Sequence, residues 1–333
     1  MKKLLLVLLT LLMLVSIAGC GTPAKTGESA KPSTASTPTV APKAAVKRIG
    51  VLYCLLSAPA VKVFAQGIEG KAKELGVELV ELDGEWNAQK QTDQMNSLIS
   101  QKVDAIILNP VDSKSLIPIV KKAKEAGISV VMGAMDIAPE GKQYVVSFVG
   151  ADEKDVGRSA GELMKKALGE AGGNVAIVEG QAGTDPQINR TAGFEEAVSG
   201  SNIKVAAKLP GEFDKAKAMV VTQDALTKYK DLKGIFVQDD TMCVGVVQAM
   251  KAMGLTGKDI KIVSYNGSKA GADMVKAGAI AGTSVQPLAW EGATALQAAI
   301  DASNGKAVEK WYKDKIEPIT KDNVDSYDPK LLW

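Results

Sequence analysis

Short runs rich in β-branched and aliphatic residues, at 48–53, 77–82, 103–108 and 128–132, alternate with segments whose apolar residues recur at helical spacing. This alternation constrains the fold more than any other feature, because strands separated by amphipathic helices form a parallel sheet with helices on its faces. In the first such helix Val61, Phe64, Ile68, Ala72 and Leu75 line one face, and Gly76 follows as a left-handed C-terminal cap, a device that Gly127 and Gly254 repeat. The second half alternates likewise, through 174–179, 203–209, 234–238, 260–264 and 282–286. From residue 47 onward about 290 residues remain, more than one core usually organises, so two lobes are expected. The expected class is α/β: two doubly wound parallel sheets flanked by helices. In such sheets ligands sit outside the carboxyl ends of the strands.

The amino terminus is of another kind. Lys2 and Lys3 precede an apolar run from Leu4 to Ile17 that is too short for a comfortable membrane span and reads as a secretory signal over residues 1–19. Ser16-Ile17-Ala18-Gly19-Cys20 resembles the lipobox of bacterial lipoproteins, which implies a thioether-linked diacylglycerol on Cys20 and cleavage before it. Each buried acyl methylene contributes about 0.8 kcal/mol, so two or three chains hold a domain at a membrane face. Residues 20–46 are rich in Thr, Pro, Ala, Ser and Lys and contain no aromatic residue, the composition of a lipid-anchored flexible tether. The expected location is extracytoplasmic, anchored to the cell membrane. Losing residues 1–19 removes two lysines and no acid, which leaves 38 basic against 38 acidic residues. A near-neutral chain without a basic run gives no reason to expect nucleic acid as a partner.

The loops that should follow the strands carry a series of motifs. Asn109-Pro110-Val111-Asp112-Ser113, Gly180-Gln181-Ala182-Gly183-Thr184, Arg190-Thr191-Ala192-Gly193-Phe194, Phe213-Asp214, Gln238-Asp239-Asp240-Thr241-Met242 and Tyr265-Asn266-Gly267 resemble, in order and spacing, the ribose-type periplasmic sugar-binding proteins. The resemblance implies the type I periplasmic-binding-protein fold, two Rossmann-like lobes joined by three hinge crossovers, closing over one ligand and handing it to an ABC permease and ATPase. It implies a first lobe of residues 47–150 and 287–315 and a second of 151–286 and 316–333. Lac-type repressors share this fold but carry a helix-turn-helix where this chain has its signal and tether. Hinge closure has a physical basis: a ligand that touches both lobes only when they close shifts the population toward the closed state.

Carried over residue by residue, the resemblance places Phe213, Asp239, Asn266 and Gln286 where the family has an aromatic ring and polar groups for sugar hydroxyls. Asp239 also stands where a helix N-cap is expected, Phe213 in a stretch that suits a lobe core, and Asn266 before the turn-forming Gly267. Elsewhere the chain departs from the pattern. Cys54, Ala60 and Val61 occupy the loop where sugar binders carry a serine, an asparagine and two phenylalanines, with only the proline retained. Ala134-Met135, followed by Asp136, replaces the usual Asp-Arg, and Ile188 replaces an arginine within residues 183–194. Apolar residues in a sugar's place leave its hydroxyls unsatisfied, at about 1–3 kcal/mol each. The ligand is therefore not expected to be ribose. It is either a sugar or polyol in another orientation, or a small compound whose less polar half faces Leu55, Ala60, Val61, Met135 and Ile188; unpaired Asp239 would also suit amine donors. Tyr53, Trp86, Trp290, Asp185 and Asn189 are secondary candidates, with Trp86 or Trp290 able to offer the flat face that the missing phenylalanines supply elsewhere.

An enzyme is not expected. The chain has no histidine, the commonest general base, and Cys54 and Cys243 form no metal-spacing motif. No cofactor is expected either, as neither a P-loop nor a nucleophile elbow is present. The chain reads as an importer's receptor for a sugar, polyol or related solute; the alternative is a sensory binding protein that presents an autoinducer-like or less polar signal to a membrane receptor.

Overall fold

The computed structural model describes residues 47–327. The signal, Cys20 and the tether, together with residues 328–333, lie outside the described residues.

The strand β1 (Arg48–Tyr53) shows how sequence pattern becomes a two-sided core. Leu52, with Cys54 just beyond it, packs to one face of the sheet, and Ile49, Val51 and Tyr53 to the other, so a strand buried on both sides reads as one continuous apolar run. The helix α1 (Pro59–Leu75) follows with Pro59 in its first turn, where a missing N–H is harmless. It buries Phe64, Ala65, Ile68 and Ala72, and ends at Gly76, whose φ of 66° is left-handed. Leu75, expected on the buried face, is 42% exposed, because it sits in the last turn where the helix leaves the sheet. The chain continues through β2 (Glu78–Asp83), α2 (Ala88–Ser100), β3 (Ala105–Leu108), α3 (Ile117–Glu125), β4 (Ser129–Gly133) and β5 (Ser147–Gly150).

The second half repeats the scheme: α4 (Glu153–Leu168), β6 (Gly173–Glu179), α5 (Asp185–Val198), β7 (Ile203–Pro210), α6 (Lys215–Lys228), β8 (Leu232–Val237), α7 (Asp240–Ala252), β9 (Lys261–Val263), α8 (Lys269–Lys276) and β10 (Gly282–Ser284). The end of the chain adds α9 (Leu288–Ser303), β11 (Trp311–Lys313) and β12 (Pro318–Thr320).

Two six-stranded sheets result, ordered β2-β1-β3-β4-β5-β11 and β7-β6-β8-β9-β10-β12. All neighbours are parallel except β12, which runs antiparallel to β10. Each sheet thus has its topological switch point beside its first strand, between β1 and β3 and between β6 and β8, where a crevice opens at the carboxyl ends. The chain passes from one sheet to the other after β5, after β10, where α9 packs on α1 and on β3 to β5, and again between β11 and β12. The short pieces β5, β11 and β12 have no counterpart among the apolar runs read from sequence. Among the described residues no helix is long and apolar enough to cross a membrane.

Candidate ligand-binding site

The loops at the two switch points face each other across one cavity. The first sheet contributes Cys54 after β1, the start of α1 (Ala58 to Val61), Trp86 after β2, Asn109 after β3, and Ala134 and Met135 after β4. The second contributes Pro186 and Arg190 of α5, Phe213 after β7, Asp239 and Thr241 at the start of α7, and Asn266 after β9. Gln286 and Leu288, on the second passage between the sheets, complete it. Counted by the positions a water's centre can take, the cavity measures about 80 Å³. At roughly 10–15 Å³ per water this is room for several waters or one small solute.

The walls are held in costly backbone conformations. Among the described residues seven that are not glycine have positive φ, and four of these line the cavity: Trp86 (52°), Ala134 (59°), Phe213 (54°) and Asn266 (111°). Glu85 and Glu212, immediately before two of them, are left-handed as well. Each such residue costs on the order of 1–3 kcal/mol, and strain of this kind persists where the surrounding structure fixes the backbone, most often at binding and active sites. Trp86 and Phe213, carried by different sheets, stack with centroids 6.0 Å apart and planes inclined by 22°. Gly180 makes room for this ring, since a Cβ there would lie 2.0 Å from Phe213 Cζ. The sheets also meet where the Ser113 N–H and hydroxyl both donate to Gly183 O, at 3.0 and 2.9 Å.

The polar groups form a braced set. Arg190 is buried; its Nε and Nη2 donate to Glu153 at 2.6 and 2.8 Å, its Nη1 donates to Gln238 O at 2.5 Å, and its guanidinium lies 4.4 Å from the centre of the Tyr265 ring. Asp239 caps α7, with Oδ1 accepting from Met242 N at 2.7 Å. Burial pushes its carboxyl up to about 7, against the opposing pull of the Met242 N–H and Arg190. Asp240 is bonded by the Ser268 N–H and hydroxyl and by the Thr283 hydroxyl, yet burial still raises it to about 6. Asn266 donates to Gln286 Oε1 at 2.5 Å, and Gln286 donates to Glu291 Oε1 at 3.0 Å. Behind them burial pushes the neighbouring carboxyls of Glu291 and Asp314 upward; Asp314 adds to the rise at Glu291, whereas the hydrogen bond with Glu291 pulls Asp314 partly back.

Of the residues expected at the site, Phe213, Asp239, Asn266, Gln286, Cys54, Ala60, Val61, Ala134 and Met135 surround the cavity. Ile188 does not, and is 43% exposed. The reason is helical geometry: Pro186 and Arg190 are four apart and share the cavity face of α5, which turns the residue midway between them to the opposite side. Leu55 packs against the core of the first sheet instead of the cavity. Trp86 lines the cavity, whereas Trp290 does not and is 45% exposed. Tyr53 donates its hydroxyl to Glu81, and Asp185 is taken up by Asn189. Cys54 and Cys243 are both free and buried, and burial raises their thiols, so both stay protonated and unreactive. Arg190 and Asn109 also line the cavity; both stand within the motifs quoted above, which do not by themselves single them out. Their signal is an Arg on a helix face that is otherwise uncharged and an Asn at the end of an apolar strand.

Comparison with known proteins decides the family. The periplasmic binding protein domain matches residues 49–307. The chain is a periplasmic binding protein. It is 30% identical to the ribose import binding protein of Bacillus subtilis over 262 residues, covering 79% of this chain and 83% of that one. To the xylitol-binding protein of Mycolicibacterium smegmatis it is 32% identical over 281 residues, 84% and 78% of the two chains. An ABC transporter solute binding protein from Bacillus halodurans, solved with bound myo-inositol, superposes with a TM-score of 0.81 at 26% identity, covering 87% of this chain and all of that one. The type I fold, with its two parallel-dominated sheets flanked by helices, is shared with that structure, and the family is that of the sugar-binding proteins of ABC transporters. These relatives are binding proteins and not enzymes.

Proposed function

We propose that this periplasmic binding protein captures one small solute, a sugar, polyol or related compound other than ribose, by closure of two lobes, and delivers it to an ABC importer. The observation that carries the reading is the cavity between the carboxyl ends of the two sheets, walled by four strained residues and just large enough for one small solute. Relatives described as binding ribose, xylitol and myo-inositol support the ligand class. The lobes are residues 47–150 with 287–315 and 151–286 with 316–333. Phe213 offers an aromatic face, Asp239, Asn266 and Gln286 hold the ligand's polar groups with Arg190 beside them, and Cys54, Ala60, Val61, Ala134 and Met135 meet its less polar side. Ribose fits poorly because the first sheet's loops bring apolar side chains to a ligand that carries hydroxyls around its whole rim. The protein acts outside the cytoplasm, held to the membrane through a lipid on Cys20 and the tether of residues 20–46.

The test is calorimetric titration against monosaccharides, polyols and nucleosides, with the recovered solute analysed by mass spectrometry. Saturable binding of an unchanged sugar or polyol is expected. A chemically altered solute, or no binding by any compound of these classes, overturns the reading. Uptake of the labelled ligand by cells lacking the protein separates the two roles: lost uptake is expected of an importer's receptor, and intact uptake with a lost transcriptional response would make the protein a sensor.

A further inference from the structure

The cavity's hydrogen-bonding capacity lies on one side. Asp239 engages Oδ1 with Met242 N and has the Thr241 hydroxyl beside it, and its remaining lone pairs can accept. Asn266 and Gln286 each spend one amide N–H, on Gln286 Oε1 and Glu291 Oε1, and each keeps a second. Arg190 has five N–H groups, of which three go to Glu153 and Gln238 O, so one remains on each Nη. All of these belong to the second sheet's loops or the passage after β10.

The opposite wall, formed by Ala60, Val61, Phe64, Ala134 and Met135, carries no side-chain acceptor. Asn109 lines the same side; its Oδ1 accepts from Cys54 N at 3.2 Å and its Nδ2 donates to Gly133 O, which leaves it one lone pair and one N–H. Besides Asn109 and the Trp86 indole N–H, this wall offers the first-turn N–H groups of α1, which lack a capping side chain and are donors only. Away from Asn109, a hydroxyl turned toward Val61, Ala134 and Met135 gives up a water and finds no side-chain acceptor for its proton.

Resting on the receptor reading above, we infer that the cleft selects a monosaccharide-sized solute that is hydroxylated along one edge and deoxygenated along the other, such as a deoxy sugar. Its hydroxyls lie on Arg190, Asp239, Asn266 and Gln286, and its bare edge lies on Val61, Ala134 and Met135.

The test uses matched pairs differing by one hydroxyl, titrated calorimetrically into the full chain: D-fucose with D-galactose, L-rhamnose with L-mannose, and 2-deoxy-D-ribose with D-ribose. At least one deoxy member is expected to bind about 100-fold more tightly than its partner, the discrimination an apolar surface exerts against an added hydroxyl. Met135→Gln, which keeps the length of the side chain and puts an amide on the bare wall, is expected to narrow that ratio about tenfold. Equal or tighter binding of the fully hydroxylated partners in all three pairs overturns the inference and leaves the receptor reading standing. If no sugar or polyol binds, both fall.

Discussion

Removing the carboxylate of Glu153 should destabilise the protein more than any single surface change. Glu153 sits in the first turn of α4 and pairs with Arg190 on α5 through two short bonds, and the side chains are only 1% and 4% exposed. In Glu153→Ala the guanidinium stays buried among Gln238 O and the Tyr265 ring without its counter-charge. Breaking a buried pair from one side costs about 3–5 kcal/mol. The carbonyl and ring that remain favour the lower end, about 3 kcal/mol. At about 2–4 °C per kcal/mol for a chain of this size, Tm should fall by roughly 6–12 °C. Replacing both partners with apolar residues of similar volume, Glu153→Leu with Arg190→Met, removes the stranded charge along with its partner. The double variant should therefore be more stable than Glu153→Ala, since such swaps are often neutral. Calorimetric melting of the parent, Glu153→Ala, Glu153→Leu, Arg190→Met and the double variant measures this. A loss below about 1 kcal/mol for Glu153→Ala, or single losses that simply add in the double variant, would refute the reasoning.

Asp239 serves two roles that two substitutions separate. Asp239→Ala loses the α7 cap, about 0.5–2 kcal/mol of stability, and about 2–4 kcal/mol of ligand affinity; Asp239→Asn keeps the cap, and melting and titration of the pair should show affinity falling while Tm holds. The folded-state carboxyls of Asp239 and Asp185, pushed to about 7, and of Asp240, pushed to about 6, all sit above the ordinary carboxylate range because burial disfavours their charge. The folded state therefore holds more protons than the unfolded chain between about pH 4 and 7, and their contribution to stability is present at the acid end and declines as pH rises. Urea unfolding should give a higher midpoint at pH 5 than at pH 8; a midpoint that rises across this window contradicts the assignment. Cys20→Ala should abolish incorporation of labelled fatty acid and leave the protein released or unprocessed, and persistent labelling would remove the lipobox reading.

The main elements were legible because their physics is local. Continuous apolar runs such as 48–53 and the helical face around Phe64 and Ile68 encode strand and helix directly, and Gly76, Gly127 and Gly254 all adopt positive φ where caps were expected. The short β5, β11 and β12 were not legible, since strands of three or four residues are made by the neighbours that pair with them. At the site, loop order carried most positions, but Ile188 failed because alignment along a helix does not fix which face a residue takes. Trp86 against Phe213 and the bracing of Arg190 by Glu153, Gln238 and Tyr265 join residues far apart in sequence, so nothing local announces them.

The central claim is that one solute is held between the two sheets and brings their loops together. Trp86 reports on this directly, because it lines the cavity from one sheet and stacks on Phe213 from the other. Tryptophan emission should be followed during titration with the sugar or polyol that calorimetry identifies, in the parent chain and in Trp86→Phe. A saturable emission change at the calorimetric Kd that disappears in Trp86→Phe is the result expected. Calorimetric binding with no change attributable to Trp86 would place the ligand elsewhere and contradict the account.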